Sequence, residues 1–329
     1  MVRGSNPDAR LISKGCARTS GRVLLPFAVS GALLAVLYRR IDPAELGDLF
    51  ARSDQQTVIV CLLSTLFLLW ISAVRYAVLG NTVGRLSRRE ATRQVLSAAT
   101  LNLFLPSKLG DLAKGIYLSR GGTPRELAFA VVVLEKGLDL LAVCAWGSIA
   151  LLLAPGVVGG GIAWGLSLGT AVLVAGGLLL RAAPSSAEKS AESVGKWQRF
   201  ASAWPTLRDR LAAEPAARRA VLGSSIVLWL LHLLQLWLFL LALGVEIPFV
   251  EHAALASLAI LAGLAPLTVG GVGTRDGAIL VLYAAYLTPA EACAFGAFFF
   301  LRTVLPAVVG SLTFAGRATA RRRVPSPTR

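Results

Sequence analysis

Acidic residues are scarce in this chain: 18 Asp and Glu stand against 33 Lys and Arg, and charged residues of both signs make up only 16% of the 329 positions. A soluble domain carries roughly a quarter, so this chain cannot clothe itself as one. Histidine is nearly absent, with His232 and His252 alone. That argues against a His-rich metal centre, and no metal site is expected. The four cysteines, Cys16, Cys61, Cys144 and Cys293, show no paired spacing. Three lie in or beside apolar segments, as buried small side chains do, which speaks against a disulfide framework. Enzyme signatures are missing as well: no Ser/His/Asp set with supporting context, no HExxH, no P-loop, no Rossmann fingerprint. No soluble stretch could hold a catalytic core. No catalytic residue and no cofactor is therefore assigned.

What the chain has instead is long apolar runs. Crossing a bilayer takes about 20 apolar residues; Gln56 to Leu79, Ala220 to Leu243 and Pro289 to Ala315 all reach that. The composition predicts an all-α polytopic membrane protein. A net charge of +15 could suggest nucleic acid. The basic residues, however, flank apolar segments, where the positive-inside rule puts them, and no nucleic-acid partner is expected.

Those charges orient the chain. Residues 1–22 read as a basic cytoplasmic N-terminus and Val23 to Tyr38 as a first spanning helix. Arg39 and Arg40 follow at once with no small-residue cleavage site, which weighs against a signal peptide. Residues 39–55, with Asp42, Glu45, Asp48 and Asp54, suit an outside loop. The second helix returns to Arg85, Arg88, Arg89 and Arg93 inside. Further helices are expected over about Glu126 to Ala154, then, after an outside turn at Pro155 and glycines 159–161, to about Leu180, over Ala220 to Leu243 and over Pro289 to Ala315. Residues 181–219 form a basic cytoplasmic loop, with Trp197, Phe200 and Trp204 at the membrane interface. Residues 317–329 form a cytoplasmic tail. The reading is a multi-pass protein of the cell (inner) membrane, both termini cytoplasmic.

Two stretches break this pattern. Leu101 to Leu118 reads LNLFLPSKLGDLAKGIYL, with Pro106 and Gly110 interrupting the run. Leu261 to Leu282 has the same grammar, with Pro266, then Gly270, Gly271 and Gly273, then Arg275 and Asp276. They read as re-entrant hairpins, 94–118 and 253–287, beside about six full helices; full crossings instead would give up to eight. Counted through 23–180 and 220–316, with the helix that ends near Leu180 opening the second half and 220–316 forming the rest of it, each half reads helix, helix, hairpin, helix in opposite orientation, an inverted-topology repeat. Interrupted segments at matching positions of two halves point to a transporter's binding site, because non-helical backbone at membrane depth survives only against protein or water.

Ionisable groups at depth cost roughly 2.5–3.5 kcal/mol each on insertion scales. This chain places Lys108, Asp111, Lys114, Glu135, Lys136, Asp139, Arg275, Asp276 and Arg302 there. Glu135 and Asp139 stand i, i+4 on one helix face and repel unless a cation lies between, for which Lys108, Arg275 or Arg302 are candidates, or a proton is shared. Some of the nine are expected to pair and tie the hairpins to the neighbouring helices. The cationic surplus suits an anionic headgroup such as a lipid phosphate. The headgroup set is Asn102, Lys108, Asp111, Lys136, Arg275 and Arg302. Glu135, Asp139 and Asp276 are the ion-pair or proton-coupling set. His232 and Gln235 read as interhelical hydrogen bonders, and Arg75 as a snorkelling side chain.

These residues resemble a known family, the lysylphosphatidylglycerol synthase transmembrane region, or flippase-like domain proteins. Asn102, Pro106, Ser107, Lys108, Gly110 and Asp111 look like its N…P-x-[RK]-x-G-[DE] signature. Glu135, Lys136 and Asp139 look like its E-[RK]-x-x-D helix. Pro266, Gly270, Gly271, Gly273, Arg275 and Asp276 look like its P-x-x-x-G-G-x-G-x-R-[ED] signature, with Asp276 where Glu is usual, and Arg302 matches an arginine of its last helix. The resemblance covers about residues 20 to 315. It implies movement of a lipid between leaflets. The synthases' soluble aminoacyltransferase domain has no counterpart before Arg329, so lysyl-lipid synthesis is not expected. Two other readings stay open: a non-catalytic partner of a separate synthase or glycosyltransferase, and a membrane enzyme using Glu135 and Asp139 on a polyprenyl-phosphate lipid.

Overall fold

The computed structural model describes residues 27–37, 39, 41–105, 109–159, 169, 196–265 and 268–322, and among these the chain is all-helical. Pro106, Ser107, Lys108, Pro266, the expected fourth helix and both extreme termini lie outside the described residues.

The first half opens with α1, Phe27–Leu37. A short helix follows, α2, Pro43–Arg52, where the sequence suggested an outside loop. Its start is encoded: Asp42 accepts a hydrogen bond from the Ala44 amide and Pro43 occupies the first turn, a position that needs no amide donor. Phe50 then meets the ring of Phe298 at 5.5 Å. Helix α3, Gln55–Asn81, is capped by Asp54, which accepts from the Gln56 and Thr57 amides. At 1.5 Å per residue its 27 residues are ample for a bilayer.

Helix α4, Arg88–Phe104, starts six residues before the expected hairpin boundary at 94 and stops where the sequence requires it. Leu105 precedes Pro106, and a residue before proline is pushed out of helical space; it is extended, at φ −104 and ψ 138. A 3-10 turn, Leu109–Asp111, resumes the chain and runs into α5, Leu112–Arg120. Gly110 is needed there for space: a Cβ would stand 2.6 Å from the Asn102 amide nitrogen and 2.8 Å from the Ala98 carbonyl. Helix α6, Arg125–Leu153, completes this half.

Helix α7, Lys196–Ala213, leads to the second half. That half comprises α8, Pro215–Ala242, then α9, Phe249–Ala262, then α10, Thr274–Leu282, and finally α11, Pro289–Arg322. Between α9 and α10, Gly270, Gly271 and Gly273 take φ of +60, +78 and +100, which non-glycine residues avoid. The Asp276 carboxylate folds back onto the Gly273 amide at 2.9 Å and starts α10.

By length and apolarity, α3, α8 and Pro289–Leu312 of α11 can each cross a membrane. Helix α6 is as long but carries the charges discussed below. The packing repeats between halves. Helix α3 lies on α8; α4 packs on α11 as α9 packs on α6; α5 rests on α6 as α10 rests on α11; α4 and α5 meet as α9 and α10 do. Replacing α3, α4, α5 and α6 by α8, α9, α10 and α11 leaves these pairs unchanged.

Candidate functional site

Helix α6 sets the first cluster. Glu135 and Asp139, four residues apart, face α3, and Arg75 of α3 reaches between them. Its Nη1 lies 2.7 Å from Asp139 Oδ1 and its Nη2 lies 3.5 Å from Glu135 Oε1. Ser225 of α8 accepts from the same Nη1 at 2.9 Å, and Trp229 donates to Asp139 at 3.1 Å. From α5, Lys114 Nζ meets Glu135 Oε2 at 2.5 Å and Asp111 Oδ1 at 3.5 Å. Lys136 bridges Asp111 at 3.1 Å and Asp139 at 2.9 Å. The six groups close a ring of alternating sign: Arg75, Glu135, Lys114, Asp111, Lys136, Asp139. Three cations balance three anions, so the ring is neutral.

Arg75 therefore corrects the sequence reading. It does not snorkel; it is buried and is a cation between Glu135 and Asp139, whereas Arg275 and Arg302 have other partners. The signal was available in the repelling carboxylate pair, and Arg75 was the cation not weighed. The ring also ties the segment after the first break to α6. Its burial is graded: the Arg75, Glu135 and Lys114 side chains are at most 2% exposed, whereas that of Lys136 is 39% exposed.

The second half is built differently. Arg275 pairs with its neighbour Asp276 at 2.8 Å and stacks on Phe299, its guanidinium 4.4 Å from the ring centroid. Arg302 of α11 lies 5.2 Å from the same ring and contacts His232 Nδ1 at 3.3 Å. Its Nη1 is buried without a hydrogen-bond partner. Among the described residues, Asp276 is the one carboxylate in this pair of arginines, and it is joined to Arg275. Gln235 acts between helices as expected, donating to Cys61, Ser64 and Thr65 of α3 at 2.6–2.9 Å.

Residues flanking both breaks line one cavity of about 480 Å³. Asn102 and Asp111 come from the first break, Val269 and Gly270 from the second, and Lys136, His232 and Arg302 from the helices behind. Much of the remaining wall is apolar, with Leu68, Val95 and Phe300 in it. Of the residues expected to meet a headgroup, the structure brings Asn102, Asp111, Lys136 and Arg302 together here. Arg275 does not line this cavity: the adjacent Asp276 and the Phe299 ring hold it in the wall behind. Glu135 and Asp139 are in the ring, and Lys108 lies outside the described residues. Lys136 and Arg302 against Asp111 leave one surplus positive charge among the charged lining residues, and a guanidinium or ammonium there can hold an anion.

A helical protein with membrane-length helices and charged groups gathered around an internal cavity is an integral membrane protein. The chain belongs to the family described as lysylphosphatidylglycerol synthase TM region, whose model matches residues 23–310. It is 22% identical over 294 residues to a UPF0104 membrane protein of Methanothermobacter thermautotrophicus, covering 80% of this chain and 85% of that protein. It is 25% identical over 313 residues to glycosyltransferase AglD of Haloferax volcanii, covering 81% of this chain and 50% of that protein. The chain thus spans about half the length of the Haloferax relative.

Proposed function

We propose that this protein moves a lipid with an anionic headgroup between leaflets, the headgroup passing through the cavity. Arg302 carries the reading: it lines the cavity, no carboxylate pairs with it among the described residues, and its Nη1 has no hydrogen-bond partner. A buried cation left so is costly, and a phosphate oxygen would satisfy it in the forked geometry arginine suits. Lys136 supplies a second cation from the same wall, and Asn102 and Asp111 accept from headgroup hydroxyls or amines. The repeated packing of the halves supports an inverted repeat, one break entering from each face, and the basic flanking segments support cytoplasmic termini in the cell membrane. The two broken segments would then alternate in access to the two leaflets.

The test uses proteoliposomes with fluorescent phosphatidylglycerol and a membrane-impermeant quencher. Protein should accelerate exchange between leaflets, and Arg302→Gln, inserted at equal density, should slow it at least tenfold. No acceleration by the unmodified protein would refute translocation; unchanged exchange in Arg302→Gln would refute the site. The name of the Haloferax relative supports a second reading, a membrane partner of a separate glycan or lipid synthase. Co-purification of such an enzyme, with no lipid movement by the protein alone, would favour it.

A further inference from the structure

One face of α8 ties the ring of charges to Arg302. Ser225, Trp229 and His232 follow one another at spacings of four and three residues, which puts them in line along the helix. Ser225 accepts from Arg75, the Trp229 indole N–H donates to Asp139 at 3.1 Å, and His232 meets Arg302 at 3.3 Å. Trp229 and His232 also pack edge to face, their centroids 5.2 Å apart. The imidazole thus rests on an indole that is itself anchored to Asp139.

The contact with Arg302 fixes the state of His232. A guanidinium has no acceptor, so Arg302 Nη2 donates and His232 Nδ1 accepts. Nδ1 then carries no proton, and the imidazole is neutral with its proton on Nε2. His232 and Arg302 both line the cavity; Asp111 and Lys136 are the other charged groups there among the described residues.

Arg275 supplies the comparison. The two guanidiniums share Phe299, at 4.4 Å and 5.2 Å from its centroid. Arg275 is held by a carboxylate: Asp276 Oδ1 accepts from its Nε at 3.1 Å and its Nη2 at 2.8 Å. That orders the side chain and cancels its charge. Arg302 is held by an imidazole nitrogen, which orders the side chain and leaves the charge intact. Arginine is rich in rotamers, and ordering it before a ligand arrives takes that cost out of binding. A carboxylate in place of His232 would compete with an incoming anion; a neutral acceptor does not.

We infer that His232 is the positioning residue of the headgroup site: it holds Arg302 in place yet fully cationic for a phosphodiester, and Trp229 anchors that placement to the first half. This rests on the headgroup reading above.

The experiment measures binding of soluble glycerophosphoglycerol to the full chain in detergent, together with thermal unfolding. His232→Leu removes the acceptor and should weaken binding about fivefold, within the range that ordering one such side chain costs. His232→Asn restores a neutral acceptor near the place of Nδ1 and should bind within about twofold of the unmodified protein. His232→Asp has the shape of the Asn variant but pairs with the guanidinium, so it should bind at least about twentyfold more weakly while melting no lower than His232→Leu. Unchanged binding in His232→Leu, or an Asp variant that binds as the Asn variant does, overturns the inference. A second arm needs no ligand. With two histidines in the chain, ¹⁵N-histidine spectra identify His232 as the signal lost in His232→Asn. Its Nδ1 should be unprotonated and should shift in Arg302→Met; a protonated Nδ1, or no shift, also overturns the inference. Absence of binding by the unmodified protein would instead remove the headgroup reading, and the spectra would still decide whether His232 holds Arg302.

Discussion

Two lysines in the same ring should differ sharply in what they contribute to stability. Lys114 is 2% exposed, with Glu135 at 2.5 Å and Asp111 at 3.5 Å. Lys114→Met keeps most of the volume and removes the charge. Glu135 is then left with Arg75 alone, at 3.5 Å, in a site closed to water. Removing one partner of a buried pair costs about 3–5 kcal/mol, chiefly through the charge left behind. Lys136, 39% exposed, sits where water can compensate; Lys136→Met should cost about 1 kcal/mol, the upper end for exposed pairs. The decisive variant is Lys114→Met combined with Glu135→Met. It leaves Arg75, Asp139, Lys136 and Asp111, still alternating in sign and neutral. The double variant should therefore be more stable than Lys114→Met, with a coupling of about 2–3 kcal/mol, at the high end for contacting residues. Thermal unfolding in detergent, followed by the loss of monodisperse protein, gives the order of the five midpoints, those of the unmodified protein, Lys114→Met, Glu135→Met, their double variant and Lys136→Met. Equal shifts for the two lysine variants, or a double variant as unstable as the summed singles, would refute a closed ring with a dry half and a wet half.

Other consequences follow from single residues. Arg75→Lys keeps the charge but cannot reach Glu135, Asp139 and Ser225 together, so melting should drop by the equivalent of about 1–3 kcal/mol, the cost of leaving a buried partner unsatisfied; an unchanged midpoint would contradict the bridging role. Gly271→Ala should destabilise by more than the roughly 1–2 kcal/mol of a left-handed residue, because its Cβ would also stand 2.7 Å from the Gly263 carbonyl; expression and melting both report it. Asp54, outside the membrane segments, has its carboxyl held below the ordinary range by the Thr57 hydroxyl and by the Thr57 and Gln56 amides at the start of α3. A depressed folded-state value means stability that is present above the unfolded value of about 3.9 and is lost as pH falls through the lower folded one. Melting measured from pH 6 down to pH 3 should fall further for the unmodified protein than for Asp54→Ala, and parallel curves would deny the cap.

Much of the architecture was legible in the chain because it is written in hydrocarbon. The runs at 56–79 and 220–243 became α3 and α8 with ends moved by five residues at most, since a bilayer-length apolar stretch has few alternatives. The first break was legible from Pro106, whose steric effect on Leu105 is local. The α2 helix was missed although Asp42, Pro43 and Glu45 are a readable helix start; its acids were read as loop charge alone. The ring was only half legible. The i, i+4 spacing of Glu135 and Asp139 demanded a cation, but which helix supplies it depends on α3 packing against α6 and α8, and no local pattern encodes that. Arg275 shows the reverse case. An arginine in a broken segment looks like a ligand, yet its own neighbour Asp276 pairs with it, just after a turn in which Gly270, Gly271 and Gly273 are left-handed.

The halves share their packing but not their charge, and the difference bears on mechanism. Among the described residues of the first half, every intramembrane charge is answered within the ring, so its groups hold the segment after the break to α6 at no net electrostatic demand. In the second half two arginines share one carboxylate among the described residues, and the surplus falls on Arg302, which lines the cavity. A chain that needed only rigidity could have met Arg302 with a second acid, as it met Arg75 with two. On the translocation reading, an anion arriving at Arg302 would offset an insertion cost of roughly 2.5–3.5 kcal/mol, and an anion that binds by neutralising a single guanidinium can also leave. On the same reading, a neutral first half would anchor the fold and a cationic second half would engage the headgroup.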